Sequence, residues 1–169
     1  NLGMAYADRK DWAAANQNYE HALELARKKG VAQLIGTTFL NKSELYVELS
    51  DLTQAAAACG KALSVFKSSG DRLGEAEAYR VLGGIFARRG NAMSAVRMLD
   101  HSIDITRIAK ATLEIAEAYR AKGLVCERIG KMDDSIEALE HAIEHFEQCG
   151  ARNDVDETRQ DLERVQAGN

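Results

Sequence analysis

The stretch AYRVLGGIFARRGN occupies Ala78–Asn91, and forty residues later the chain reads AYRAKGLVCERIGK over Ala118–Lys131, keeping Ala, Tyr, Arg, Gly, a second Arg and a closing Gly in place. Self-similarity at a fixed interval of this size marks a repeat architecture, in which one supersecondary unit is copied and each copy buries its apolar face against the next. Within the copy, Tyr79, Leu82, Gly83 and Phe86 fall at i, i+3, i+4, i+7, the stripe of one helix face. Ala95, Val96, Leu99, Ser102 and Ile103 make a second stripe. Between the stripes lies RRGN, where Gly90 predicts a left-handed helix stop and Asn91 a cap for the next helix. Each unit is therefore a helical hairpin. Asp11 and Asp51 fill the cap position in earlier units.

Shifting the whole chain by forty extends the echo. Gly3, Gly83 and Gly123 align, as do Gly30, Gly70 and Gly150. Small residues share two further registers, Ala15, Ala55, Ala95 and Ser135 in one and Ala22, Ala62, Ser102 and Ala142 in the other. Composition agrees with helix throughout, since the chain of 169 residues has no Pro, is 46% hydrophobic and 28% charged. No apolar run reaches the roughly 20 residues a bilayer-spanning helix needs, and the opening residues carry no basic-then-apolar leader, so the expected location is cytoplasmic. Cys59, Cys126 and Cys149 are scattered and odd in number, which predicts reduced core thiols and neither a disulfide framework nor a zinc knuckle.

Leu2, Gly3, Tyr6, Ala15, Tyr19 and Ala22, with Trp12 after the turn, stand at the intervals of the tetratricopeptide repeat, and the chain resembles that family over nearly its whole length. Departures are specific. Ser43 replaces the Gly of unit two, Lys42 and Lys122 replace the preceding Leu, and Cys59, Leu99 and Leu139 stand where unit one has Tyr19. The family period is about 34 residues with a closing Pro; forty and no Pro resembles the long-helix variant of partner-of-Inscuteable proteins, kinesin light chains and several bacterial regulators. HEAT-type repeats share the longer period but fit the small-residue registers poorly.

The resemblance implies an all-α, right-handed superhelical solenoid of antiparallel hairpins. The expected units are 1–30, 31–70, 71–110 and 111–150, with a C-terminal capping helix over 153–166. Helices are predicted near 1–9, 12–29, 32–49, 52–69, 72–89, 92–109, 112–129 and 132–149. The chain opens inside the first helix of its first unit, so a fragment of a longer array is expected, and homo-oligomers could form through exposed array ends.

Catalytic motifs fare poorly. HAIEH, His141–His145, fits the H-x-x-E-H string of one zinc-peptidase class, but His21 and His101 precede His141 in the same register on the outer side of the second helix. GKMDDS lies after a helix and not after a strand, so it is no phosphate loop, and Gly83-Gly84 reads as close helix packing. Neither an enzyme, a cofactor nor a metal is expected. Charge says more: the net charge is −4, with acids on second helices and the tail. Arg80 and Arg120 share one register of the first helices, and Arg88 and Arg128 another. The resemblance places that side in a concave groove, with Asn41 and Glu48 at the corresponding positions of unit two. The implied activity is recognition of a protein or peptide partner, expected to be an acidic, extended or helical segment. RNA binding is the alternative, which the acidic total charge disfavours, and a zinc-dependent hydrolase ranks below it.

Overall fold

A computed structural model describes Gly3 and residues 9–168. Among these, eight helices and no strand are present: α1 (Trp12–Lys29), α2 (Ala32–Glu48), α3 (Leu52–Ser69), α4 (Arg72–Arg88), α5 (Ala92–Ala109), α6 (Thr112–Arg128), α7 (Met132–Cys149) and α8 (Arg152–Ala167). The helix expected over 1–9 lies outside the described residues apart from Gly3. The other expected helices occur within one residue of their predicted ends.

The turns follow from their residues. Asp11, Asp51, Asp71 and Asn91 each accept a hydrogen bond from a backbone N–H three residues on, at 3.1, 3.0, 2.9 and 3.1 Å, satisfying one of the donors a helix start leaves open. At the other end of α4, Gly90 has φ +76° while its N–H and that of Asn91 donate to the carbonyls of Ala87 and Phe86, a left-handed stop that glycine adopts without steric cost. Lys10 and Ser50 take the same conformation in the corresponding turns, and Lys110 in the turn after α5, without that freedom, with φ of 60°, 59° and 56°.

α2 pairs with α3, α4 with α5 and α6 with α7 as hairpins, and each hairpin packs on the next through its second helix, as α1 does on α2 and α7 on α8. The first helices α2, α4, α6 and α8 also approach one another in succession. No comparable approach joins successive second helices among the described residues. The layer of first helices is thus the compressed one, and the array curves with that layer inside.

The core explains the departures from the repeat pattern as paired exchanges. A side chain at Gly83 would stand 2.7 Å from Leu99, one at Gly123 2.6 Å from Leu139, and one at Gly3 2.5 Å from Tyr19. In the second hairpin the large residue is instead the fully buried Cys59, and Ser43 fits opposite it, donating from its hydroxyl to the Ala55 carbonyl at 2.9 Å. Lys42 and Lys122 pair with acids on the preceding second helix, Lys42 with Glu20 and Lys122 with Asp100 at 2.7 Å. Between them Leu82 sits in the same register, and its counterpart on the preceding helix is Gly60. Ala15, Ala55, Ala95, Ala62 and Ala142 are fully buried at the crossings; Ala22 is only partly so.

Candidate functional site: the groove along the first helices

On α4 the groove face carries Leu73, Glu77, Arg80, Gly84 and Arg88, and on α6 the register-equivalent Leu113, Glu117, Arg120, Leu124 and Arg128. These intervals of three and four residues place them on one face of each helix. The four arginines separate into two bands. Arg80 donates to Glu77 through Nε at 3.2 Å and Nη2 at 2.6 Å, and its Nη2 lies 3.6 Å from Glu117 on α6. Arg120 donates through Nη1 to Glu157 at 2.9 Å and through Nε to Asp161 at 3.0 Å, both on α8. One pattern serves both: an arginine meets the glutamate of the next first helix, thirty-seven residues on.

Burial works against both guanidinium charges, but the surrounding carboxylates outweigh it and hold each above its ordinary pKa, through Glu77, Glu117 and Glu44 for Arg80 and through Glu157 and Asp161 for Arg120. The carboxylates answer in turn. Desolvation and then Glu77 raise the pKa of Glu44, and desolvation raises that of Glu117 against the pull of Arg80. Arg88 and Arg128, at the far end of the same helices, are exposed and make no ion pair among the described residues.

Between α1, α2 and α4 the groove deepens into a cavity of about 540 Å³. Among the described residues its walls include Trp12 and Tyr19 from α1, Asn41 and Leu45 from α2, and Val81 and Ile85 from α4. Four exposed charges, Lys10, Glu44, Glu48 and Arg88, also border it. The Asn41 amide nitrogen is buried and has no hydrogen-bond partner, and the same holds for the Asn16 side-chain oxygen on α1. In the later junctions these two registers hold Ala56 with Val81 and Val96 with Ala121, which belong to apolar clusters.

Of the predicted groove residues, Asn41, Glu48 and Arg88 border this cavity, whereas Arg80 and Arg120 lie in the ion-pair network. Sequence reasoning missed Glu44, Trp12 and Gly84. The forty-residue register held a signal for Gly84, since its equivalents are Glu44 and Leu124. The pair Gly83-Gly84 divides likewise: Gly83 makes the close packing expected, but nothing lies within 4 Å of where a Cβ at Gly84 would stand.

On the outer side, His141 and His145 lie against the Tyr119 ring at 5.0 and 5.9 Å. His101 does the same with Tyr79 at 5.2 Å. Among the described residues no three His, Cys, Asp or Glu side chains converge in a way that could hold a metal ion, and no helix is long and apolar enough to cross a membrane. Cys59 and Cys126 are buried as expected, whereas Cys149, also expected in the core, is exposed at the last position of α7. Burial pushes the Cys59 thiol up to about 12.

Two family models, both described as tetratricopeptide repeat, match residues 34–108 and 116–148, together well over half the chain. The chain belongs to the tetratricopeptide repeat family. Solved structures agree on the fold. The apo form of RapI superposes with a TM-score of 0.81 at 17% identity, over 99% of this chain and 46% of that one. A Rap protein complexed with competence and sporulation factor gives 0.75 at 15% identity, over 98% and 52%. A putative kinesin light chain of Podosopora anserina with nearly identical TPR-like repeats gives 0.56 at 13%, over 99% and 92%. The chain therefore spans about half the length of the two Rap structures. A comparison with curated proteins finds no match. As a tetratricopeptide repeat array, this chain is a protein-interaction module built as an all-α solenoid.

Proposed function

We propose that the chain binds a protein segment, extended or partly helical, in the groove along α2, α4 and α6, without catalysing a reaction. The observation that carries this reading is the cavity between α1, α2 and α4, where Trp12, Leu45, Val81 and Ile85 line a recess bordered by the exposed charges of Lys10, Glu44, Glu48 and Arg88. One tetratricopeptide repeat structure, the Rap protein above, is a complex with competence and sporulation factor.

Acidic groups of the segment meet Arg88 and Arg128, which make no ion pair among the described residues. Arg80 and Arg120 contribute differently, as part of the neutralised floor beside Glu77, Glu117 and Glu157, and Glu48 borders the N-terminal side. First helices about 8–10 Å apart and an extended chain advancing about 3.3 Å per residue set roughly three ligand residues per repeat.

The test is selection of short random peptides on the chain, followed by calorimetry with variants. Replacing Arg88 and Arg128 together by Ala should weaken the selected peptides at least tenfold, as loss of charge-assisted hydrogen bonds of about 1.5–3 kcal/mol each implies, and should flatten the salt dependence. Arg97→Ala, on α5, should change little. Peptides that bind the double variant normally, or single-stranded RNA that binds in their place with a steep salt dependence, would remove this reading.

A further inference from the structure

Gly84 stands in the interior of α4, where glycine weakens a helix relative to alanine because it loses more backbone freedom. The other glycines of the first helices have a packing reason: side chains at Gly36, Gly74, Gly83 and Gly123 would collide at 2.4, 2.4, 2.7 and 2.6 Å. Gly84 has none, since its Cβ position is open. It borders the groove cavity instead, and the residues of its register in the neighbouring first helices, Glu44 and Leu124, both carry long side chains. The missing side chain therefore maintains space and not contact.

Chemistry selects what fills that space. Val81, one turn before Gly84, and Ile85, the residue after it, line the cavity together with Leu45 and Trp12, an apolar lining bordered by the charges of Lys10, Glu44, Glu48 and Arg88. Arg88, one turn beyond Gly84, brings an exposed positive charge that no carboxylate of the described residues neutralises.

We propose that the cavity beside Gly84 takes one bulky apolar side chain of the bound segment, next to an acidic residue held by Arg88, and that Gly84 sets the size of the side chain admitted. This rests on the groove reading above and names the ligand chemistry within it. The anchor residue enters over Gly84, and its acidic neighbour lies toward the α4 C-terminus.

Selection of random peptides on the parent chain and on Gly84→Leu provides the test, with Gly60→Leu as control. Gly60 lies on the outer surface of α3, where a Cβ likewise meets nothing within 4 Å. Parent-selected peptides should share a bulky apolar residue beside an acid, bind Gly84→Leu at least tenfold more weakly and bind Gly60→Leu unchanged. Gly84→Leu should melt at or above the parent temperature, which separates a filled cavity from a damaged fold. Peptides that lack the apolar residue, or that bind Gly84→Leu with parental affinity, overturn the proposal. If those peptides still lose affinity on removal of Arg88 and Arg128, the groove reading stands without the pocket. Peptides that protect only second-helix amides from hydrogen exchange, or a selection that enriches nothing, remove both.

Discussion

Gly83 leaves room for Leu99 in the third hairpin, and Ser43 takes up the room that Cys59 leaves in the second. Adding a methyl at Gly83 forces it to 2.7 Å from Leu99, with the Ala95 carbonyl at 3.3 Å. Gly83→Ala should therefore destabilise by about 1–3 kcal/mol, and adding Leu99→Cys in the same chain should return part of the loss. Strictly additive melting shifts in this double-mutant cycle would show that the two positions do not share the space. Ionisation gives a second expectation at this scale. Two hydrogen bonds from Arg164, at 2.9 and 3.0 Å, hold the Glu127 carboxyl below its ordinary value of 4.5. A lowered acid contributes stability above its unfolded pKa and loses it as pH falls through the folded value. Glu127→Gln should thus cost up to about 1 kcal/mol at neutral pH, as exposed pairs do, and nothing measurable at a pH well below 4.5. Glu44 and Glu117 have the opposite sign: raised in the folded state, their ionisation costs stability at neutral pH and the cost is relieved on acidification.

Single helices are set by their ends more than by their interiors. α3 begins on Asp51, whose carboxylate accepts from Gln54 N–H at 3.0 Å, and Asp51→Ala should cost about 1 kcal/mol in thermal unfolding. α5 ends on Lys110 in the left-handed region, where Gly30, Gly70 and Gly150 stand in the other hairpins. Lys110→Gly should raise stability by about 1 kcal/mol, because a Cβ in that conformation is strained by roughly that amount. An unchanged midpoint in urea would mean that the strain is relieved elsewhere. Gly84→Ala should also stabilise, by roughly 1 kcal/mol from helix propensity alone. Such caps and stops were legible because they depend on one or two neighbouring residues, which is why the predicted helix ends agree with the observed ones.

At the scale of the whole molecule, α8 closes the described array. Val155 and Val165 are buried, Val155 in a cluster with Ala116, Ala142 and Phe146, while Arg120 and Arg164 tie α8 to α6. Its other positions are largely exposed and charged. We therefore propose a capping role for α8 in this chain. Removing residues 151–169 should open the Phe146 cluster, lower the melting temperature and promote self-association measurable by light scattering, since an uncovered apolar hairpin edge is aggregation-prone. A monomeric truncation that melts like the parent would count against that role.

The sequence by itself determined the period, the hairpin, the helix ends and the family, because each of these is written in local spacing: apolar residues every three or four positions, a capping side chain, a glycine stop. It also put Asn41, Glu48, Arg80, Arg88, Arg120 and Arg128 in shared registers of the first helices, on the side that the family resemblance assigns to the groove. Only the tertiary structure decided what those residues can do. Arg80 and Arg88 differ by two turns of one helix and look equivalent as letters. Yet Arg80 lies within reach of Glu117 on the next first helix, while Arg88 makes no ion pair among the described residues. The curvature that brings the first helices together therefore pairs one arginine with a carboxylate of the next helix and leaves the other without an ion pair among the described residues. Distance between separate helices is a property of packing, and no spacing within a single helix encodes it.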